Sequence, residues 1–127
     1  MCRYINCASN SIYHYKPFVS SSDNRLKYNQ RNIDNALETI QKLQPRLYEK
    51  VDNLNDPLTD ECPTEAGFIA QAVDAIPELK HCVKKPTDDI ETYGLNYQQL
   101  GPYAIAAIQE LSALVSSLTL RVATMEA

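Results

Sequence analysis

The last third of the chain carries the most regular alternation of apolar and polar positions. Ile108, Leu111, Val115, Leu118, Val122 and Met125 recur at alternating spacings of three and four residues, and Ala104 extends the series backwards. A repeat of that kind lines one face of an α-helix and makes the seam of a coiled coil. Asn96, with Gln99 three residues on, predicts a side-chain cap for a helix running from about 97 to 125. Pro102 falls within its first two turns, where a mild kink is expected. The seam is flanked by Ser112, Leu114 and Thr119 rather than by Glu and Lys, which widens the apolar face. β-branched residues at one seam position and Leu at the other favour two strands, whereas a wide face favours three or more. The pattern leaves the number of copies open, and the stripe is also one that a single domain can bury against its own sheet.

Upstream, Ile33, Leu37 and Ile40, with Ala36 and Leu43 beside them, predict a short amphipathic helix, with Asn32 as its cap and Pro45 as its stop. Leu47 and Tyr48 open a returning strand, and the Asn, Asp and Pro residues between Asp52 and Pro63 predict an exposed loop. Residues 67–73 read as a buried segment passing from strand into a short helix that closes before Pro77. Residues 79–84 and 90–93 read as strands paired around a turn at Lys85–Asp89. At the other end, Ile12 to Val19 reads as extended chain, with Pro17 marking an edge or bend. Ser20, Ser21, Ser22, Asp23 and Asn24 then form a polar break, the clearest boundary in the sequence. The fold class expected is α+β: a small mixed helix and strand domain with a long C-terminal helix.

Composition narrows the function. One domain suits 127 residues. Sixteen acidic against twelve basic residues give a net charge of −4, with no basic block to track phosphates, so nucleic acid is not expected as a partner. Cys2, Cys7, Cys62 and Cys82 lack CxxC spacing, and His14 and His81 stand far apart, so no metal and no cofactor is expected and the cysteines read as reduced thiols. The first residues lack the apolar core of a signal peptide. No run approaches the ~20 apolar residues a membrane helix requires, and no membrane partner is expected.

The chemistry-bearing candidate is Ser22-Asp23-Asn24-Arg25-Leu26-Lys27. A Ser and a Lys five residues apart can meet across a turn, and a neutral amine can take the serine's proton and make it a nucleophile. Lys27 would have to lose its own proton first, and desolvation in a folded site is the usual route to that. Such a pair is inert in an unfolded chain. The spacing alone is weak, since a Ser/Asp turn followed by a solvated basic patch looks the same.

The motif Ser22-Asp23-x-Arg25-Leu26-Lys27-x-Asn29 resembles the opening of the intramolecular chaperone, or auto-processing serine peptidase, domains that end phage tailspikes, endosialidases, neck appendages and tail fibres. The likeness continues through Ile33, Asn35-Ala36-Leu37, Ile40, Leu43-x-Pro45 and Tyr48. It resumes at Gly67-Phe68-Ile69-Ala70-Gln71-x-Val73 and Ile76-Pro77-Glu78-Leu79, and closes with Tyr97-x-x-Leu100 and Ala107-Ile108-Gln109-Glu110-Leu111. The blocks run in order from Ser22 to the C-terminus.

The resemblance implies a homotrimer held by a C-terminal coiled coil, which assists folding of an upstream β-rich stalk of the same polypeptide and then releases itself. It assigns residues 1–21 to the end of the stalk and its linker, and 22–127 to the chaperone domain. Assembly would take place in the host cytoplasm, and the stalk would join the virion tail or an appendage. By position, Ser22 is the nucleophile and Lys27 the base of a single-turnover cut in cis. Asp23 and Arg25 match the motif, and Gln71 and Glu78 are polar positions inside apolar blocks; all four are candidate supporting residues. The bond cut lies beside Ser22. Attack of Ser22 on the Ser21 carbonyl closes a five-membered ring and leaves a hydrolysable ester, whereas attack on its own carbonyl needs a strained four-membered one. Cleavage between Ser22 and Asp23 would need another nucleophile, such as an activated water. One departure is Ala72, where the family often has an acid, and this leaves a non-cleaving trimerisation cap as the alternative reading.

Overall fold

The computed structural model describes residues 19–127, so Ile12 to Phe18, Cys2, Cys7 and His14 lie outside the described part. Contacts divide the chain into two compact units, one ending at Asn32 and the other running from Ile33 to Ala127. The described part of the first unit is an open segment with one 3₁₀ turn, Asn24–Leu26.

The second unit is the mixed helix and strand domain that the pattern predicts. Its elements are helix α1 (Ala36–Gln41), strands β1 (Arg46–Glu49) and β2 (Thr64–Gly67), helix α2 (Ala70–Asp74), a 3₁₀ helix (Pro77–Cys82), strands β3 (Val83–Lys84) and β4 (Gly94–Leu95), a 3₁₀ turn (Tyr97–Gln99) and helix α3 (Leu100–Glu126). β1 pairs antiparallel with β2, from Arg46↔Gly67 to Glu49↔Thr64, across the expected Asn/Asp/Pro loop. β3 pairs antiparallel with β4 through Val83↔Leu95 and Lys84↔Gly94.

Several local expectations are corrected. α1 starts later than Ile33, and its N-cap position is Asn35, not Asn32. Asn35 has φ 55°, left-handed backbone that Asn tolerates better than most residues, and its side chain makes no capping bond. Residues 79–82 are helical rather than extended: Pro77 opens the turn, and Leu79 and Cys82, three apart, both point into the core. Their strand shrinks to Val83 and Lys84, and its partner is Gly94–Leu95, while Ile90 is exposed in the turn. The Asn96 side chain makes no cap; the backbone carbonyl of Asn96 accepts from Gln99 N–H instead, at 3.2 Å. Pro102 falls in the first turn of α3, where its missing N–H would have had no helical partner. Of residues 67–73, only Val73 is fully buried.

The core is small. Val73, Ile76, Leu79, Cys82 and Leu100 form it, and Leu43, Phe68, Val83, Leu95 and Tyr103 pack around it. Burial in it raises the Cys82 thiol above its ordinary pKa. Cys62 is disulfide-bonded, which departs from the expectation of reduced thiols.

α3 meets this domain along one stripe only. Ala107 is buried beneath α1, and the Glu110 carboxylate accepts a hydrogen bond from Leu37 N–H at 2.6 Å, supplying the cap that Asn35 does not. The seam stripe lies to one side of this contact. Ile108 is 65 % exposed, Val115 55 % and Met125 83 %, and every residue from Leu111 onwards is exposed. By length and composition Tyr97–Glu126 is apolar enough to cross a membrane, and only 6 % of its apolar window is buried. This corrects the expectation that no run approaches the length of a membrane helix. Glu110, Ser112, Ser116, Ser117, Thr119 and Arg121 interrupt its apolar surface.

Candidate functional site

The Ser22 to Lys27 segment is shaped by Asp23. With extended backbone at the N-cap position, Asp23 accepts Arg25 N–H on Oδ1 at 2.8 Å, while Leu26 N–H reaches the Asp23 carbonyl at 3.0 Å. The Arg25 guanidinium folds back onto the same carboxylate, Nε to Oδ1 at 3.1 Å and Nη2 to Oδ2 at 2.8 Å. This pairing holds the Asp23 carboxyl below its ordinary pKa and the Arg25 group above its own. Both stand in solvent, so the pair shapes the turn more than it stabilises the fold. Lys27 N–H closes the turn on the Asn24 carbonyl at 3.2 Å.

One consequence is that Lys27 and Ser22 meet. Lys27 Nζ lies 2.5 Å from Ser22 Oγ and donates to it. The segment thus brings together Ser22 and Lys27, the two residues named for the chemistry, and places Asp23 and Arg25 as their brace. All four are exposed in the single chain. Ser21, on the other side of the candidate bond, is exposed as well.

Gln71 and Glu78 lie in the second unit and have local partners or surroundings of their own. Gln71 is exposed on α2, at the edge of a groove of about 400 Å³ that Tyr48, Lys50, Tyr93 and Tyr97 also line. The Glu78 carboxylate pairs with Lys42 at 3.0 Å, and Tyr103 Oη donates to the Glu78 backbone carbonyl at 3.0 Å, pinning the 3₁₀ helix to α3. Glu78 is held below its ordinary pKa, first by its own backbone N–H and then by Lys42. These contacts join Glu78 to α1 and α3.

Sequence reasoning passed over Gln30 in the first unit, and took Asn29 only as a motif position. Gln30 Nε2 donates to Asn24 Oδ1 at 2.7 Å and to the Lys27 carbonyl at 3.2 Å. Asn29, at φ 54°, reverses the chain between them. The available signal was Asn29 itself: an Asn two residues past a short turn is a common left-handed position.

A family model described as chaperone of endosialidase, and named as a peptidase family, matches residues 22–84, beginning at the serine that Lys27 contacts. The chain belongs to this family. The chain is also 32 % identical over 107 residues to the long tail fiber protein Gp37 of Enterobacteria phage M1, and 33 % identical over 100 residues to that of Enterobacteria phage T2. These alignments cover 83 % and 76 % of the chain, but only 41 % and 7 % of the two relatives. The endosialidase-chaperone match takes in the whole Ser22–Lys27 turn, α1, β1, β2, α2, the 3₁₀ helix Pro77–Cys82 and β3, and stops before β4 and α3.

Proposed function

We propose that this chain is the intramolecular chaperone of a phage tail fibre or spike, and that it releases itself by autoproteolysis beside Ser22. The observation that carries the reading is the contact of Lys27 Nζ with Ser22 Oγ, within a segment that matches a peptidase family. Similarity to phage long tail fiber proteins supports a fibre polypeptide as the client. Three copies associate through the α3 seam, which raises the local concentration of the stalk chains and sets their register. A trimeric β-rich stalk has high contact order and exposed edges while it folds, which is the problem such a clamp addresses.

In the cutting step, Lys27 in its neutral form takes the proton of Ser22 Oγ. The oxygen attacks the Ser21 carbonyl carbon, a C–O bond forms, and the Ser21–Ser22 C–N bond breaks as the proton passes to the departing nitrogen. Water then hydrolyses the ester, leaving a Ser21 carboxylate and restoring the hydroxyl. In the single chain both side chains are solvated, so the desolvation that frees the amine comes with assembly. Removing the clamp after assembly leaves the stalk kinetically trapped in its folded state.

The test is intact-mass and denaturing-gel analysis of a fusion of an upstream β-rich stalk to this chain, wild type beside Ser22→Ala and Lys27→Ala. The expected result is a cut beside Ser22 in wild type alone, with trimers in all three. Wild type that trimerises without cutting would leave the chain a structural cap, the reading that Ala72 favours. Normal cutting in either variant would overturn the assigned roles.

A further inference from the structure

We infer that Gln30 is the positioning residue for Lys27. A lysine reaches its target on four flexible methylenes, so its base role depends on where its backbone is fixed. In this chain the Lys27 N–H is held by the Asn24 carbonyl, and the Lys27 carbonyl by Gln30 Nε2 at 3.2 Å. The same amide nitrogen donates to Asn24 Oδ1 at 2.7 Å. Gln30 therefore bridges both ends of the 3₁₀ turn, and the peptide units on either side of Lys27 are tied to Asn24 and to one side chain. The chain reversal at Asn29 is what turns Gln30 back over the turn, since its left-handed backbone redirects the following residue.

The arrangement has little to offer stability. Every member is exposed, and side-chain hydrogen bonds made in water contribute little net free energy. Its effect is geometric: it restrains Lys27 so that Nζ falls on Ser22 Oγ. Asp23 and Arg25 brace the front of the turn, and Gln30 braces the back.

This inference rests on the self-cleavage reading, and its test separates the two. The stalk fusion is assembled as wild type, Ser22→Ala, Gln30→Glu and Gln30→Ala, and the single-turnover cutting rate is followed against pH. Gln30→Glu keeps the shape but removes both donors. In both Gln30 variants the plateau rate is expected to fall tenfold or more, with trimers and melting temperature unchanged. In Gln30→Ala, which adds no charge beside Lys27, the pH midpoint is expected to stay that of wild type. Cutting at the wild-type rate in Gln30→Glu and Gln30→Ala, with Ser22→Ala uncut, overturns the inference and leaves the self-cleavage reading standing. A shifted midpoint with an unchanged plateau also overturns it, since Gln30 would then act on the proton affinity of Lys27 and not on its position. An uncut wild type, or a cut Ser22→Ala, overturns both.

Discussion

A residue identity can record a close approach that no periodicity shows, and Gly67 does so. It ends β2 opposite Arg46, and a Cβ there would fall on the phenol oxygens of Tyr97 and Tyr48. Tyr97 Oη is not free to move away: it accepts Phe68 N–H at 3.0 Å, and its hydrogen bond with Tyr48 raises the Tyr48 phenol above its ordinary pKa. Gly67→Ala should therefore cost about 1–3 kcal/mol, the usual range for overpacking. For a domain of this size that is a melting temperature roughly 4–20 °C lower. Gly67→Ala combined with Tyr48→Phe and Tyr97→Phe should recover part of the loss, because both oxygens are then gone; thermal denaturation of the single and triple variants checks it. The residue scale is also where the sequence was most and least legible. Ser22 and Lys27 were recognisable by spacing and motif, since a 3₁₀ turn between them needs only local hydrogen bonds. Gln30 was not, because its contacts depend on the backbone reversal at Asn29.

Elements were legible where their pattern is long and local, and blurred where partners far along the chain decide. α3 was readable from its repeat alone. Residues 79–82 were not: Leu79 and Cys82 suit a strand by type, and helical geometry won because Pro77 starts a turn and the core lies on one side. α1 was placed, but its true cap is 73 residues away in sequence, the Glu110 carboxylate on Leu37 N–H. A negative group at a helix N-terminus satisfies an orphan donor and meets the positive end of the helix dipole. Glu110→Ala should cost about 1 kcal/mol, as cap removals do. Amide exchange should quicken across α1 and leave β3 and β4 untouched; equal protection in both variants would refute the cap. The 3₁₀ helix supplies a pH-dependent tie. Because Glu78 titrates below its ordinary value when folded, its contribution to stability is present above about pH 4.3, the free side-chain value, and is lost as pH falls through the lower folded one. Carboxyl NMR titration should give Glu78 a midpoint below that of free Glu, and Lys42→Met should raise it towards that value.

At the scale of the whole molecule, the distribution of burial along α3 argues for assembly. About 1.5 Å of rise per residue makes a 27-residue helix roughly 40 Å long, and only its first part, through Ala107 and Glu110, is anchored on the domain. The remainder carries Leu111, Leu114, Val115, Leu118, Leu120 and Val122 about half exposed or more. A single amphipathic helix has little stability in water without a surface to bury its face, and soluble monomers rarely expose apolar patches of this extent. Most seam side chains are already about half covered, so burying the rest on association contributes on the order of 1 kcal/mol each, at least what an exposed ion pair offers. Leu118→Asp places a charge in the middle of that seam while touching nothing in the domain core, so if the proposed oligomer forms through the seam, sedimentation should show it for wild type and a folded monomer for the variant. The same variant bears on the coupling between assembly and cutting. Ser22 and Lys27 are already in contact in a single, solvated chain, so on the proposed self-cleavage reading contact alone would not gate the cut. If assembly supplies the desolvation, a Leu118→Asp stalk fusion should cut at least tenfold more slowly than wild type at neutral pH and recover towards high pH, where the amine is neutral without help. Equal rates for monomer and oligomer at every pH would show that the turn is sufficient by itself, and that the coiled coil serves folding of the stalk alone.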